Sequence, residues 1–370
     1  MKILAFQLFL FYVILDLQKK IYNITSTNQT LKKPQSEKKT ATKVTPMKKV
    51  YSMKKVNPFD VSTLDREVTL EQPWCLSVIL EPKFTICVYM PDEDFQVSKA
   101  VIEKGLFRPH LTSILQTVFK VFPGIVLIDI GANLGYFSLM ASSLGHRSIA
   151  VEAVASNVYR IHSAVMRSNL SLELYHYAIG EDFSQTSYLF QGDLSTGNRG
   201  HGKVLDDGES PEYFEHMYEP VQTITITQLV QNTIKNNEEI VLKLDINTEE
   251  CKIFIGNDKV FSYFKIRVIV MKWAYLIFDA TKPRNKNFQV SKTSGCNFEE
   301  IEDMVNFLLE FSGYRPFDVE TRQPLYISDL LGMCIKFIDI CYLIFQGQNH
   351  RLVQLAIFLC DEEILCLIFF

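Results

Sequence analysis

The chain has 370 residues, 47% hydrophobic and 22% charged, with a formal net charge of -4. This is a globular composition, long enough for one large α/β domain with extensions. The slight acidity gives no hint of a nucleic-acid partner, and the eight cysteines include no C-x-x-C pair, so no structural metal site is expected.

Residues 1–18 open with one lysine and then thirteen mostly apolar residues, Ile3 to Leu15, which reads as a signal peptide or an uncleaved signal anchor. Residues 19–57 hold eleven lysines among Ser, Thr, Gln and Asn, and cannot bury enough surface to offset their ordering entropy. They read as a disordered basic stem, with a polyanion-binding arm as the alternative. Three sequons, at Asn23, Asn28 and Asn169, join the leader in pointing to the secretory pathway and a membrane tether. Cytoplasmic residence is the alternative.

Residues 58–122 are expected to form an N-terminal cap. Short strands lie at 59–91, where Cys75 and Cys87 flank a hairpin, and helical apolar spacing follows at 95–121. Cys75 with Cys87, and Cys251 with Cys296, are either bridged or buried free thiols. From residue 123 strands and helices alternate, with strands at 125–129, 148–152, 173–178, 240–245 and 266–272, and helices near 134–144, 156–168, 225–236 and 298–312. Such alternation makes a parallel sheet with helices on both faces. The stretch from Gln191 to Glu219 shows no periodicity and reads as a long loop, a lid over a site or simply disordered. Residues 331–370 are a strongly apolar tail, carrying four of the cysteines, with no stretch long enough for a membrane span.

The densest motif is Val126-Leu-Ile-Asp-Ile-Gly-Ala-Asn-Leu-Gly-Tyr-Phe-Ser-Leu-Met140, in which an apolar strand ends at Asp129 and a turn on Gly131 and Gly135 leads into a helix. Glycine serves where the backbone turns tightly and approaches a ligand. The next short strand ends in Glu152, placed to accept hydrogen bonds from the two ribose hydroxyls of an adenosine. The loop reads G-x-N-x-G and not G-x-G-x-x-G, which favours S-adenosylmethionine over NAD.

Together with Ala150-Val-Glu-Ala153, Asn157, Tyr177-Ala-Ile-Gly180, the segment 221–229 and Val241-Leu-Lys-Leu-Asp-Ile246, this motif resembles the FkbM family of S-adenosylmethionine-dependent methyltransferases, over roughly residues 120–320. The resemblance implies a methyltransferase domain at 123–330 with a Rossmann-like, doubly wound, mostly parallel seven-stranded sheet. It adds an antiparallel strand near Tyr314–Asp318. It also implies O-methylation of a hydroxyl on a glycan or small molecule.

The residues expected at the cofactor are Asp129, which either orients the loop or receives the ligand's amino group, Gly131, Asn133, Gly135, Glu152 and Asn157, the last of which either caps its helix or touches the adenosine. Those expected at the reaction centre are Asp245, Lys243 and Glu250. Lys243 and Asp245 stand two apart on a strand and so share a face, and Asp245 is either base and orienter or merely a helix cap. Two departures bear on activity. After this aspartate the family continues x-Glu-Gly-x-Glu, whereas this chain reads Ile246-Asn-Thr-Glu-Glu250, and where many relatives have Met-Glu-Trp it has Met271-Lys-Trp273. A catalytically impaired cofactor-binding module is therefore the alternative function.

Overall fold

The computed structural model describes residues 57–60, 62, 72–180, 186–190, 203–204, 218–235, 237–246, 250–254, 258–273, 298–308, 315–319, 341–346, 356–359 and 365–368. The leader, nearly all of the basic stem, Asn247, Thr248 and Cys296 lie outside them. Among the described residues no helix is long and apolar enough to cross a membrane.

Strands β1 (Trp74–Ser77) and β2 (Thr85–Val88) pair antiparallel, with Cys75 opposite Cys87. The two cysteines are joined by a disulfide across a Cα–Cα distance of 3.9 Å, so this pair is bridged. Helix α1 (Val97–Lys104) and helix α2 (Pro109–Val121) follow. Proline opens α2, where no helical N–H is lost, and Leu111, Ile114, Leu115, Val118 and Phe119 make its buried face.

The alternating part begins at β3 (Val126–Ile130), α3 (Tyr136–Ser143), β4 (Ser148–Glu152), α4 (Ala155–Ser168) and β5 (Glu173–His176). The strand expected at 173–178 breaks at Tyr177, whose N–H turns to the Glu152 carbonyl, and β6 (Ala178–Ile179) joins a different sheet. That smaller sheet contains β7 (Thr186–Phe190), β8 (Lys203–Val204) and β9 (Tyr218–Ile224) in the order β6-β9-β7-β8. Strand therefore enters the stretch read as an irregular loop, at Lys203 and Val204 and again from Tyr218, because β7 supplies a partner far in sequence.

Helix α5 (Ile226–Thr233) starts at a reciprocal cap, in which the Thr225 hydroxyl accepts from Gln228 N–H while the Gln228 side chain accepts from Thr225 N–H. Next come β10 (Glu239–Leu244), α6 (Glu250–Phe254), α7 (Asp258–Tyr263), β11 (Lys265–Trp273) and α8 (Phe298–Asn306). Strands β12 (Arg315–Asp318) and β13 (Cys341–Gln346) follow, and β14 (Ala356–Leu359) and β15 (Leu365–Ile368) form a separate antiparallel pair.

The main sheet has the order β12-β13-β11-β10-β3-β4-β5. It is mostly parallel: β13 runs against both of its neighbours and every other pairing is parallel. The strand expected near Tyr314 is β12, but it does not lie beside β11; β13, drawn from the apolar tail, separates them.

Side-chain alternation sorts the sheet's two faces. Val126, Ile128, Ile130, Leu242, Leu244 and Ile269 pack with α5, α6, α7 and α8 on one side. Leu127, Val241, Val268 and Val270 pack with α1, α2, α3 and the disulfide hairpin on the other. This second face, continued to the strand ends, carries Asp129, Lys243 and Lys272, so its apolar interior gives way to charge where the strands stop.

Candidate functional site

The carboxyl ends of β3, β4 and β10 converge on the turn between β3 and α3. The Gly131 and Ala132 amides both donate to the Val151 carbonyl at 3.0 Å, and Asp245 N–H donates to the Ile130 carbonyl at 3.0 Å. Gly131, Asn133 and Gly135 all have positive φ, at 72°, 54° and 77°. At Gly131 a Cβ would overlap the backbone carbonyl of Asp245, so its glycine is required by the packing of the turn on β10 as well as by any ligand. At Gly135 a Cβ would press on Ile161 of α4.

Glu152 is spent mostly on the protein itself. Its Oε2 accepts from Asn133 N–H at 2.7 Å, and its Oε1 from Val154 N–H at 2.9 Å and Asn157 Nδ2 at 3.3 Å. A carboxylate has about four acceptor positions, so one is left for a ligand. Burial pushes the Glu152 pKa up to about 7, against the pull of those three donors and of Lys243.

Asn157 does not cap α4. The capping position is Val154, and Asn157 lies one turn inside, fully buried, with its Oδ1 accepting from the Tyr89 hydroxyl at 2.8 Å. Tyr89 itself is buried beneath the Arg160 guanidinium, 3.6 Å from the ring centre. A relay thus runs from Tyr89, just past the disulfide hairpin, through Asn157 and Glu152 to Asn133. The sequence reading missed Tyr89, and no local motif marks it.

Asp129 and Lys243 are cross-strand partners in the β3–β10 register, and Lys243 Nζ donates to Asp129 Oδ1 at 2.8 Å with both side chains buried. The Ser138 hydroxyl donates to Asp129 Oδ2 at 2.7 Å, and Lys243 Nζ also reaches the Gly131 carbonyl at 3.2 Å. Burial would lower the Lys243 pKa, but the carboxylates of Asp129 and Asp245 outweigh it and hold the ammonium above its ordinary value. Both oxygens of Asp129 are engaged by side chains, so this residue braces the turn. Lys243 is correspondingly a brace, and its charge also acts on that of Asp245. Ser138, inside the quoted motif, was given no role; its place one turn into the helix was the signal.

Asp245 instead faces Lys272, with Nζ to Oδ1 at 3.1 Å and the Lys272 side chain 6% exposed. The departure at Lys272 therefore points inward. Glu250, buried, accepts from Ile246 N–H at 3.0 Å, and burial with the nearby Asp245 charge pushes its pKa up to about 7. Asn247 and Thr248, the other departures, lie outside the described residues. Cys251, next to Glu250, is disulfide-bonded. Among the described residues no group of His, Cys, Asp and Glu could hold a metal ion.

The turn fits a polar ligand on one observation in particular. Asn133 Oδ1 is buried with no hydrogen-bond partner among the described residues, and buried polar atoms in native proteins are rarely left so.

The model of the FkbM methyltransferase domain matches residues 129–316, just over half of the chain. The chain belongs to this family. Its cofactor is S-adenosylmethionine, and Asn133, the Gly131–Gly135 turn and the remaining acceptor of Glu152 are the groups that would hold it. No curated protein matches the FkbM chain significantly. Among solved structures it is similar to a precorrin-6y C5,15-methyltransferase from Geobacter metallireducens, with 12% identity, 70% of this chain and 98% of that one covered, and a TM-score of 0.34. It is also similar to an O-methyltransferase from Bacillus cereus in complex with SAH, with 13% identity, 65% and 83% covered, and a TM-score of 0.35. At these values neither likeness bears on substrate.

Proposed function

We propose that this FkbM protein methylates a hydroxyl oxygen of a glycan or small molecule within the secretory pathway, tethered by its N-terminal leader. The observation that carries the reading is the meeting of the Asn133 turn, Glu152 and Asp245 at adjacent strand ends, within a chain of methyltransferase family. The bridged Cys75 and Cys87 support an oxidising compartment.

The bound cofactor supplies an electrophilic methyl group. The protein's part is positioning, worth about 7–11 kcal/mol when the reacting groups are aligned, together with removal of the acceptor's proton. The Asn133 side-chain oxygen and the shape of the turn would fix the donor's place, the buried strand ends exclude water, and Asp245, half-buried at the end of β10, takes the hydroxyl proton as the methyl group passes from sulfur to oxygen. Lys272 keeps that carboxylate oriented.

The same ion pair favours a second reading, an impaired cofactor-binding module, because an ammonium held at 3.1 Å competes with an acceptor hydroxyl for the lone pairs of Asp245. Transfer of labelled methyl groups to a panel of glycans and small alcohols separates the two. Activity that falls by ~10²-fold in Asp245→Asn, with cofactor affinity kept, supports the methyltransferase, since that is the scale of a lost general base. Cofactor binding without transfer, in the wild type and in Lys272→Glu alike, establishes the impaired module.

A further inference from the structure

Far from the cofactor turn, at the amino ends of β4 and β5, lies a cavity of about 380 Å³ lined by Ser142, His146, Arg147, Ser148, Ser171 and Glu173 among others. Arg147 has no charge to spare for an anion: it donates to Glu173 at 2.7 Å, to Glu238 at 2.9 Å and to the Thr233 carbonyl at 2.7 Å. What remains is neutral and rich in hydroxyls. Ser148 Oγ is buried and has no partner among the described residues. Ser142 in the last turn of α3 and Asn169 at the end of α4 line the cavity, and helix carboxyl ends present carbonyl acceptors. A polyhydroxylated, uncharged occupant suits such a lining.

Asn169 is part of that lining and belongs to the sequon Asn169-Leu170-Ser171. It is exposed, holds left-handed backbone angles (φ 50°, ψ 43°) as the last cap of α4, and its side chain makes no hydrogen bond to the described residues. Ser171 is also exposed, and its carbonyl is held by the Ser142 hydroxyl at 2.7 Å. Asparagine is favoured at a left-handed cap for conformational reasons alone, but that accounts for neither the hydroxyl two residues on nor the cavity.

We infer that Asn169 is an N-glycosylation site whose first sugar has room in the adjoining cavity. In the transfer, Asn169 Nδ2 bonds to the anomeric carbon of a lipid-diphosphate-linked oligosaccharide, the carbon–oxygen bond to the diphosphate breaks, and the amide proton leaves with the lipid diphosphate. The inference rests on the secretory placement proposed above and is independent of methyl transfer.

The full chain is expressed in a eukaryotic secretory host and deglycosylated enzymatically in heavy-oxygen water, then its peptides are read by mass spectrometry. The Asn169 peptide is expected to carry the heavy-oxygen aspartate mark. Ser171→Ala, which leaves the cap untouched, is expected to abolish it; Ser171→Thr should retain it; Asn169→Gly, which keeps the left-handed cap, should remove one glycan's step in gel mobility. An unmodified Asn169 beside modified Asn23 or Asn28 overturns this site alone. If none of the three is modified, the site and the secretory placement both fall while the methyltransferase reading stands.

Discussion

The two halves of the site are held by different means. At the ends of β3 and β4 the turn is fixed by backbone amides and short hydrogen bonds, with Glu152 receiving three of them. At the ends of β10 and β11 the arrangement depends on charge, Lys272 against Asp245 beside a buried Glu250. The first half is set by geometry that few substitutions tolerate. The second tolerates changes of shape and responds to changes of charge, and it holds the Lys272 that the sequence reading sets against the expected pattern.

The largest effect that tests this contrast is at Gly131. Gly131→Val places a β-branched residue at φ 72° with its Cβ on the Asp245 carbonyl, and cofactor binding measured by calorimetry should be lost, with folding itself compromised. Binding that survives would mean the turn is softer than its hydrogen bonds imply.

Next is Lys243→Met, which strips Asp129 of its buried partner. Leaving one charge of a buried pair uncompensated costs about 3–5 kcal/mol, read as a fall in the urea midpoint. Adding Asp129→Asn should recover a large part of that loss, because no buried charge is then left alone. A Lys243→Met protein of full stability would sink the bracing role.

The pH dependence is smaller. Burial pushes Glu152 and Glu250 up to about 7, above the ordinary carboxylate value of 4.5. The folded state then holds more protons than the unfolded one between those values, so each group's contribution to stability declines as pH rises from 4.5 towards 7. The decline amounts to at most roughly 3 kcal/mol per group at 1.36 kcal/mol per unit. Thermal melts across this range should show the decline, and Glu250→Gln should flatten it by one group's share. An unchanged slope in that variant would mean Glu250 titrates in the folded protein as it does in the unfolded chain.

The sequence disclosed the turn because glycine, asparagine and the preceding apolar strand are local signals, and the β–α alternation followed from periodicity. It disclosed that Lys243 and Asp245 share a face, since alternation along a strand is a two-residue property. It did not disclose which carboxylate Lys243 pairs with. Asp129 lies 114 residues earlier, and only the β3–β10 register brings the two together. Lys272 was visible as a departure, but its inward direction depends likewise on the β10–β11 pairing, in which Leu244 meets Met271. The strand β13 was hidden for another reason: an apolar run states that it will be buried, not which sheet will bury it.

The relay from Tyr89 to Asn133 carries a practical lesson about boundaries. The family match begins at Asp129, part-way along β3, and stops at residue 316. Tyr89, the clamped hairpin that presents it, and β13 all fall outside. A fragment cut to the matched span would keep every motif residue and still deprive Asn157 of its donor and β11 of an edge partner. The unit that similarity delimits is thus smaller than the unit that can hold the turn in place, and loss of function in such a fragment would speak of missing scaffolding, not of a missing active site.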